Sequence, residues 1–364
     1  MNKREEIQNK GREAFEHAGY LGILQIAQRV GKIKTSINIM NHMTGKGVIP
    51  ASPKVLIGYP DNRIKDSWEE DFQKWQFEHS ANIVFINYSS IWKYETQSFD
   101  LIILDEIHAT SEAQRASIQM LIDLNDYILG LSGTISLDTE QELAEIGLQV
   151  IMKYTVEEAI EDGIIAPYKI YIHTVALDNI VKEKNSKGKL VSEKQRYANY
   201  TWVIENLKHS GRDFKFLALQ RNRVLQSSIA KAACTKKLIE KHKGKKTLVF
   251  TGLKKVSESL GIPFFHSTSA DKTVFDDFKT GKIDAVAVVN IGRAGVTFDQ
   301  LEIIIINSFT GNEETTEQII ARALNRDIQD KVAEIHIVTS NEEPELKKLR
   351  KTLNSFNKNN IEWL

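Results

Sequence analysis

Short apolar runs rich in β-branched residues recur along the chain, each followed by a stretch in which apolar residues return at helical spacing. In the first half the runs are LGILQIA, KVLIGYP, NIVFINY, DLIILDE and YILGLSGT; in the second they are KTLVFTG, DAVAVVN, EIIIINS and EIHIVTS. Runs that are apolar throughout, rather than alternating, predict strands covered by helices on both faces, and therefore parallel sheets in an α/β fold. The stretch TVEEAIEDGIIAPYKIYIHT changes character at Ala166 and Pro167, where an acidic helix-like run gives way to a new strand. A domain boundary there gives domains of 1–166 and 167–364. Within the second, residues from about 178 to 216 turn polar and basic: KEKNSKGKL predicts an exposed loop and YANYTWVIENLKHS a helix, together an insertion or mobile extension. The following LQRNRVLQSSIAKAACTKKLIEKH predicts one long helix leading into KTLVFTG.

Length agrees with that division, because 364 residues exceed the size at which one core keeps growing. With 41% hydrophobic and 26% charged residues the composition is that of a soluble globular protein. No run of about 18 apolar residues offers a bilayer span. The charged start MNKREEIQNKGREAF does not read as a secretory signal. A single cysteine, Cys234, fits a reducing compartment and excludes an internal disulfide or a zinc ribbon, so the cytosol is expected. Formal net charge is zero, so any polyanion site must come from local clustering. Lys and Arg do cluster between Lys182 and Lys255, in GRDFKF, QRNR and KHKGKK, whereas SWEED and TVEEAIED make the first half acidic. The same charges also suit ordinary solvated helix faces.

Two segments carry candidate chemistry. QIAQRVGKIKTSI, residues 25–37, contains Gly31 and Lys32 after a strand, as a phosphate loop would, but Ile33 stands where such loops place Ser or Thr. An ordinary strand-to-helix turn is the alternative. FDLIILDEIHAT ends an apolar strand with Asp105 and Glu106, at the end of a parallel sheet where ligands sit. Two adjacent carboxylates repel and are costly to desolvate. A hydrated Mg²⁺ held by Asp105, with Glu106 orienting and deprotonating a water, gives the pair a reason; a strand simply ending in solvent with polar residues is the alternative.

DEIH resembles the Asp-Glu-x-His box of superfamily 2 helicases and translocases, which implies two tandem RecA-like domains with parallel sheets and an interdomain ATP cleft. Other segments follow that family's order. The loop is similar to its phosphate loop, implying nucleotide contacts from Arg29, Gly31, Lys32, Ile33, Lys34 and Thr35, with His108 nearby. Two registers fit, with either Lys32 or the pair Lys34 and Thr35 on the phosphates; the first is preferred because GILQIAQRVGK follows strand and turn without a gap. VLIGYPDNRIKDSWEEDFQKW resembles the segment in restriction and remodelling motors where a strand ends in Pro, here Pro60, and a Trp follows, here Trp68. IVFINYSSI resembles the turn that touches nucleic-acid backbone, implicating Asn87, Tyr88 and Ser89. LGLSGT resembles the motif coupling nucleotide to DNA, giving Ser132, Gly133 and Thr134. TLVFTG is similar to the strand opening the second motor domain, with Thr251 and Gly252 toward nucleic acid. VVNIGRAGVTFDQLEIII implies roles for Gly295, Thr297 and Asp299.

EQIIARALNRD resembles Gln-x-x-Gly-Arg-x-x-Arg, matching Gln318 and Arg322. Ala321 replaces the Gly, and Asn325 stands where the last Arg is expected, with Arg326 one place later. On a helix that shift turns the side chain by roughly 100°. An Arg from a second domain can sense charge on the γ-phosphate only when the cleft closes.

The resemblance, closest to phage-encoded DNA helicases and type I or III restriction motors, implies an ATP hydrolase using Mg²⁺ and acting on single-stranded, branched or duplex DNA. It implies the cytosol of a bacterium or a phage-infected host, and admits a separate nuclease or recombination partner. Two rivals stay open. One is an RNA helicase; the other is a motor relic that binds DNA without hydrolysis, its losses recorded at Ile33, Ala321 and Asn325. A nuclease within the chain is disfavoured, since no second carboxylate cluster has a convincing Lys partner.

Overall fold

A computed structural model describes residues 2–77, 82–184, 188–266, 273–289, 298–308, 316, 319–326, 328 and 330–364. Its contacts divide the chain into two units, with the passage from first to second between Ile165 and Ala166.

The first unit holds β1 (Leu21–Ile26), β2 (Lys54–Tyr59), β3 (Asn82–Asn87), β4 (Leu101–Asp105), β5 (Ile128–Ser132) and β6 (Val150–Tyr154). They form one sheet in the order β3-β2-β4-β5-β1-β6, and each neighbouring pair is parallel. Around it lie α1 (Lys3–His17), α2 (Lys32–Gly45), α3 (Asn62–Lys74), α4 (Glu112–Leu124), α5 (Leu137–Glu145) and α6 (Val156–Glu161). β4 and β5 are buried at every position, so their apolar runs face helices on both sides. Ile23, Leu56, Ile102, Leu104, Ile118, Leu121 and Ile128 form the core, each such side chain contributing about 1.5–3 kcal/mol by leaving water. Capping boxes set where α1, α4 and α6 begin, from Asn2 with Glu5, Ser111 with Gln114 and Thr155 with Glu158. The strand order matters for function. With β4, β5 and β1 adjacent, the residues that follow their carboxyl ends converge.

The second unit holds β7 (Tyr168–Val175), β8 (Lys182–Lys184), β9 (Leu190–Ser192), β10 (Thr247–Thr251), β11 (Phe264–His266), β12 (Ala285–Val289), β13 (Ile303–Ile306), β14 (Ala333–Ser340) and β15 (Ile361–Trp363). Seven of these make a second sheet, β11-β12-β10-β13-β14-β7-β15, again with parallel neighbours. Its helices are α7 (Glu193–His209), α8 (Lys215–Gln226), α9 (Ile229–Lys241), α10 (Lys254–Ser259), α11 (Thr273–Lys279) and α12 (Glu343–Thr352).

Three details correct the reading of periodicity. KEKNSKGKL is not wholly a loop, because its ends pair as the antiparallel β8 and β9. The long helix is two, broken after Gln226, where the Ser228 hydroxyl accepts from the Lys231 amide and starts α9 afresh. The basic segment is also tied down rather than loosely attached. Buried Glu193, at the start of α7, accepts from the Asp178 amide (2.6 Å), the Ser228 hydroxyl (3.0 Å) and the Ile229 amide (2.7 Å). Among the described residues no helix is long and apolar enough to cross a membrane.

Candidate active site

β1 runs into a tight turn in which Arg29 takes positive φ (72°), and Gly31 then caps α2 at φ 106°. The backbone shape requires glycine there, and a Cβ on Gly31 would also sit 2.7 Å from Gln8 Nε2 and displace that side-chain end. Gln8, buried on α1, donates to the Val30 carbonyl (3.0 Å) and pins the turn from behind. The start of α2 presents backbone N–H groups and the positive end of the helix dipole, which suits an anion.

Lys32, the first residue of α2, places Nζ 2.6 Å from Glu106 Oε1. Lys34 turns elsewhere, its ammonium 4.2 Å from the centre of the Trp75 ring. Thr35 is buried and its hydroxyl donates to the Gly31 carbonyl (3.0 Å); Ser36 does the same to Lys32 (3.1 Å). Ile33 is half-buried. Only the Lys32 register therefore brings an ammonium to the carboxylates, and the first turn of α2 turns its hydroxyls inward.

Asp105 ends β4, and Glu106 follows in the left-handed region at φ 50° and ψ 47°, a conformation costly for a non-glycine residue. Both are buried. Asp105 Oδ1 accepts from the Glu106 amide (2.9 Å) and Oδ2 from Trp68 Nε1 (2.8 Å), while Tyr88 donates its hydroxyl to the Asp105 carbonyl (2.8 Å). Gly58 leaves room for that ring, since a Cβ there would lie 2.9 Å from Tyr88 Cε1. Burial pushes the Asp105 carboxyl up, and the Glu106 charge adds to this against the pull of Lys32. Burial would raise Glu106 too, but Lys32, His108 and a bond from Gln28 Nε2 (3.2 Å) outweigh it and hold Glu106 well below the usual range. Glu106 Oε2 is buried without a hydrogen-bond partner.

The His108 ring carries the connection onward. Its Nδ1 lies 2.7 Å from Ser132 Oγ and 3.4 Å from Glu106 Oε2. Ser132 spends its only proton on the Thr134 carbonyl (2.8 Å), so Nδ1–H of His108 is the donor to Ser132. Burial lowers the His108 pKa, against the pull of the Glu106 charge. Hydrogen bonds thus run from His108 through Ser132 to Thr134, and the Lys32–Glu106 pair lies beside their start.

Several expected contact residues lie differently. Tyr88, Ser132 and Thr251 are buried, so their side chains do not present a surface to nucleic acid. Tyr88 and Ser132 brace the carboxylate site, and Thr251 Oγ1 lies 2.6 Å from Ser257 Oγ. Burial within strand ends, invisible in a linear motif, is the reason. Ser89 is exposed, and Pro60, Asn87, Thr134 and Gly252 are half-buried. Asn87 donates to the Pro60 carbonyl (3.1 Å) and accepts from the Ser89 amide (2.9 Å), joining the turns after β2 and β3.

In the second unit Arg322 is buried, Arg326 exposed and Asp299 exposed on a turn. The helix expected through Arg326 ends at Ala321, where amides 322–324 bond back three residues and Asn325 forms an isolated bridge. The helical offset of Arg326 therefore does not apply. Gln318, Gly295 and Thr297 lie outside the described residues. Sequence reasoning missed Gln8 and Gln28 and gave Trp68 no role. Each acts through a partner remote in sequence, and no spacing signals that.

A lysine at the helix start after β1, set against paired carboxylates at the end of β4, two places away in the same parallel sheet, is an arrangement suited to binding phosphate in an α/β domain. Residues 2–137 match the family "Type III restriction enzyme, res subunit", and residues 230–326 match "Helicase conserved C-terminal domain". The chain belongs to the superfamily 2 helicases, ATP-hydrolysing motors with restriction-enzyme relatives. No curated protein matches it. Solved structures match over nearly all of it. S. cerevisiae Dbp5 bound to RNA and ADP BeF3 is 10% identical with TM-score 0.61, covering 98% of this chain and 89% of that one. The Pyrococcus furiosus Hef helicase domain is 12% identical with TM-score 0.54, covering 96% and 97%. The Type ISP restriction-modification enzyme LlaBIII bound to DNA is 12% identical with TM-score 0.64, covering 98% of this chain but 31% of its own. Such identities speak for the fold, two tandem RecA-like domains.

Proposed function

We propose that the chain is an ATP-dependent DNA helicase or duplex-DNA translocase. The observation that carries this reading is the 2.6 Å contact of Lys32 with Glu106 beside Asp105, because it joins a phosphate-binding cation to a poised base. Lys32 and the start of α2 hold the phosphates. Glu106, deprotonated and with Oε2 unbonded, orients the attacking water and takes its proton. Arg322 and Arg326, with Gln318 in the same motif, are the proposed γ-phosphate sensors. Asp105 would hold Mg²⁺, mostly through water, since Ile33 follows Lys32 where a hydroxyl would be a ligand, and Thr35 and Ser36 are fully buried. The orphan Glu106 oxygen and the all-oxygen donor set fit such a hydrated ion, which supplies charge neutralisation on the phosphates.

Two features support a nucleic-acid track. The path from His108 to Thr134 links the hydrolytic residues to the half-buried turn after β5. On α7 and α8, exposed Trp202 and Phe216 stand among exposed Lys208, Arg212 and Lys215, an arrangement suited to stacking bases and pairing phosphates. The match of residues 2–137 to a restriction-enzyme subunit favours DNA.

The test is the ATPase rate of the wild-type chain and of Glu106→Gln with no nucleic acid, single-stranded DNA, branched DNA, duplex DNA and RNA. Stimulation by DNA, absent from the variant, is expected. Stimulation by RNA alone would make the protein an RNA helicase, and absence of turnover would make it a binding relic.

A further inference from the structure

Apart from the nucleotide site, the second unit gathers three imidazoles and a carboxylate at the start of β14. Glu334 and His336 are two residues apart on that strand and so share one face of the sheet. His173 comes from neighbouring β7, and His242 ends α9. His336 and His242 are 1% and 5% exposed, with ring centres 4.7 Å apart. His173 Nε2 lies 2.9 Å from His336 Nδ1. That contact occupies one nitrogen of His336. Its Nε2, like Nε2 of His242, is buried without a hydrogen-bond partner.

An unsatisfied buried polar atom costs about 1–3 kcal/mol and calls for an explanation. Glu334 Oε2 stands 3.8 Å from His336 Nε2. One ligand atom from each of His242, Glu334 and His336 lies within 4.8 Å of the other two. Around a tetrahedral zinc-type ion, ligands at about 2.0–2.2 Å are about 3.4 Å apart, so no pair in the set need close by more than about 1.4 Å.

We propose that His242, Glu334 and His336 bind a divalent transition-metal ion of the zinc class, with water as the fourth ligand. Two imidazoles and one carboxylate are a known zinc donor set and a poor one for Mg²⁺, so this ion is distinct from the one that accompanies nucleotide. His173 is the outer partner. Accepting from Nδ1–H of His336, it fixes the tautomer that leaves Nε2 as a lone-pair donor. Tyr171 stacks on His336 at 5.1 Å and holds the ring in place. Opposing the ion are Lys241, beside His242, and Lys245, whose Nζ holds Glu334 Oε1 at 3.0 Å. Glu334 keeps Oε2 for the metal. The ion would clasp the end of α9 to β14.

The experiment strips the full chain with chelator, then titrates Zn²⁺ by calorimetry and Co²⁺ by visible absorption, with Mg²⁺ present throughout. Expected are one ion per chain, Co²⁺ bands of tetrahedral intensity and a higher unfolding temperature. Affinity should drop more than tenfold in His242→Gln and Glu334→Gln, and about tenfold in His173→Gln. Lys245→Gln, at a 44% exposed side chain, should leave the fold intact and tighten binding several-fold by freeing the carboxylate. No stoichiometric binding overturns the proposal, as does affinity unchanged in either His242→Gln or Lys245→Gln.

Discussion

Lys32 and Glu106 form a buried ion pair with side chains 10% and 11% exposed, so each is poised by the other before nucleotide arrives. With Lys32 on the phosphates as proposed, Lys32→Ala removes a charge from the transition state, and ATP turnover should fall by about 10²–10³. It also strands the Glu106 charge, so the unfolding temperature should drop with it. Thr35→Ala forfeits only the bond to the Gly31 carbonyl, about 1 kcal/mol of stability, and should leave turnover within a few-fold. Rates measured beside melting curves separate the two effects; the reverse ranking would move the phosphate contact to Lys34. Trp68→Phe removes the donor to Asp105 Oδ2 while filling the same space. The Mg²⁺ concentration for half-maximal ATPase should then rise about tenfold, with little change in stability. Lys32, Asp105 and Glu106 were legible because loop and box each lie within a few residues. Trp68 was not, because its meaning depends on a partner 37 residues away.

Between elements, charge does two different jobs. At the surface, Glu16 on α1 pairs with Lys46, which caps the end of α2, and with His42 in the last turn of α2, and these lower its pKa to about 2. A carboxyl depressed from 4.5 in the fold adds stability that is fully present above pH about 4.5 and is lost as pH falls toward 2. The melting-temperature gap between wild type and Glu16→Gln should therefore be widest near neutrality, close across that window, and shrink with added salt. In the second unit, Lys231 on α9 and Glu345 on α12 are 1% and 7% exposed and 2.7 Å apart. Lys231→Met should cost about 3–5 kcal/mol by leaving the carboxylate uncompensated. The double variant Lys231→Met with Glu345→Gln should recover much of that loss in denaturant unfolding, since Gln still accepts from the Ser340 amide. The nine apolar runs read as strands are strands. Strands β6, β11 and β15 escaped notice because all three lie at sheet edges, where no continuous apolar run is required.

For the molecule as a whole, nucleic-acid-stimulated ATPase should weaken steeply as salt rises, because contacts to phosphates release counterions. Basal turnover in the buried Lys32–Glu106 site should change far less. Comparing the two between 50 and 200 mM salt checks this, with at least about a tenfold loss expected in affinity for the nucleic acid. Taken alone, the sequence determined the alternation of buried strands and helices, the two-part organisation, and the identities of Lys32, Asp105 and Glu106, since these rest on local periodicity and short motifs. Only the tertiary structure decided which lysine faces the carboxylates, that Tyr88 and Ser132 look inward, and that His173, His242 and His336 meet. Those outcomes depend on strand order and on which side of a strand end each side chain emerges, and long-range packing sets both.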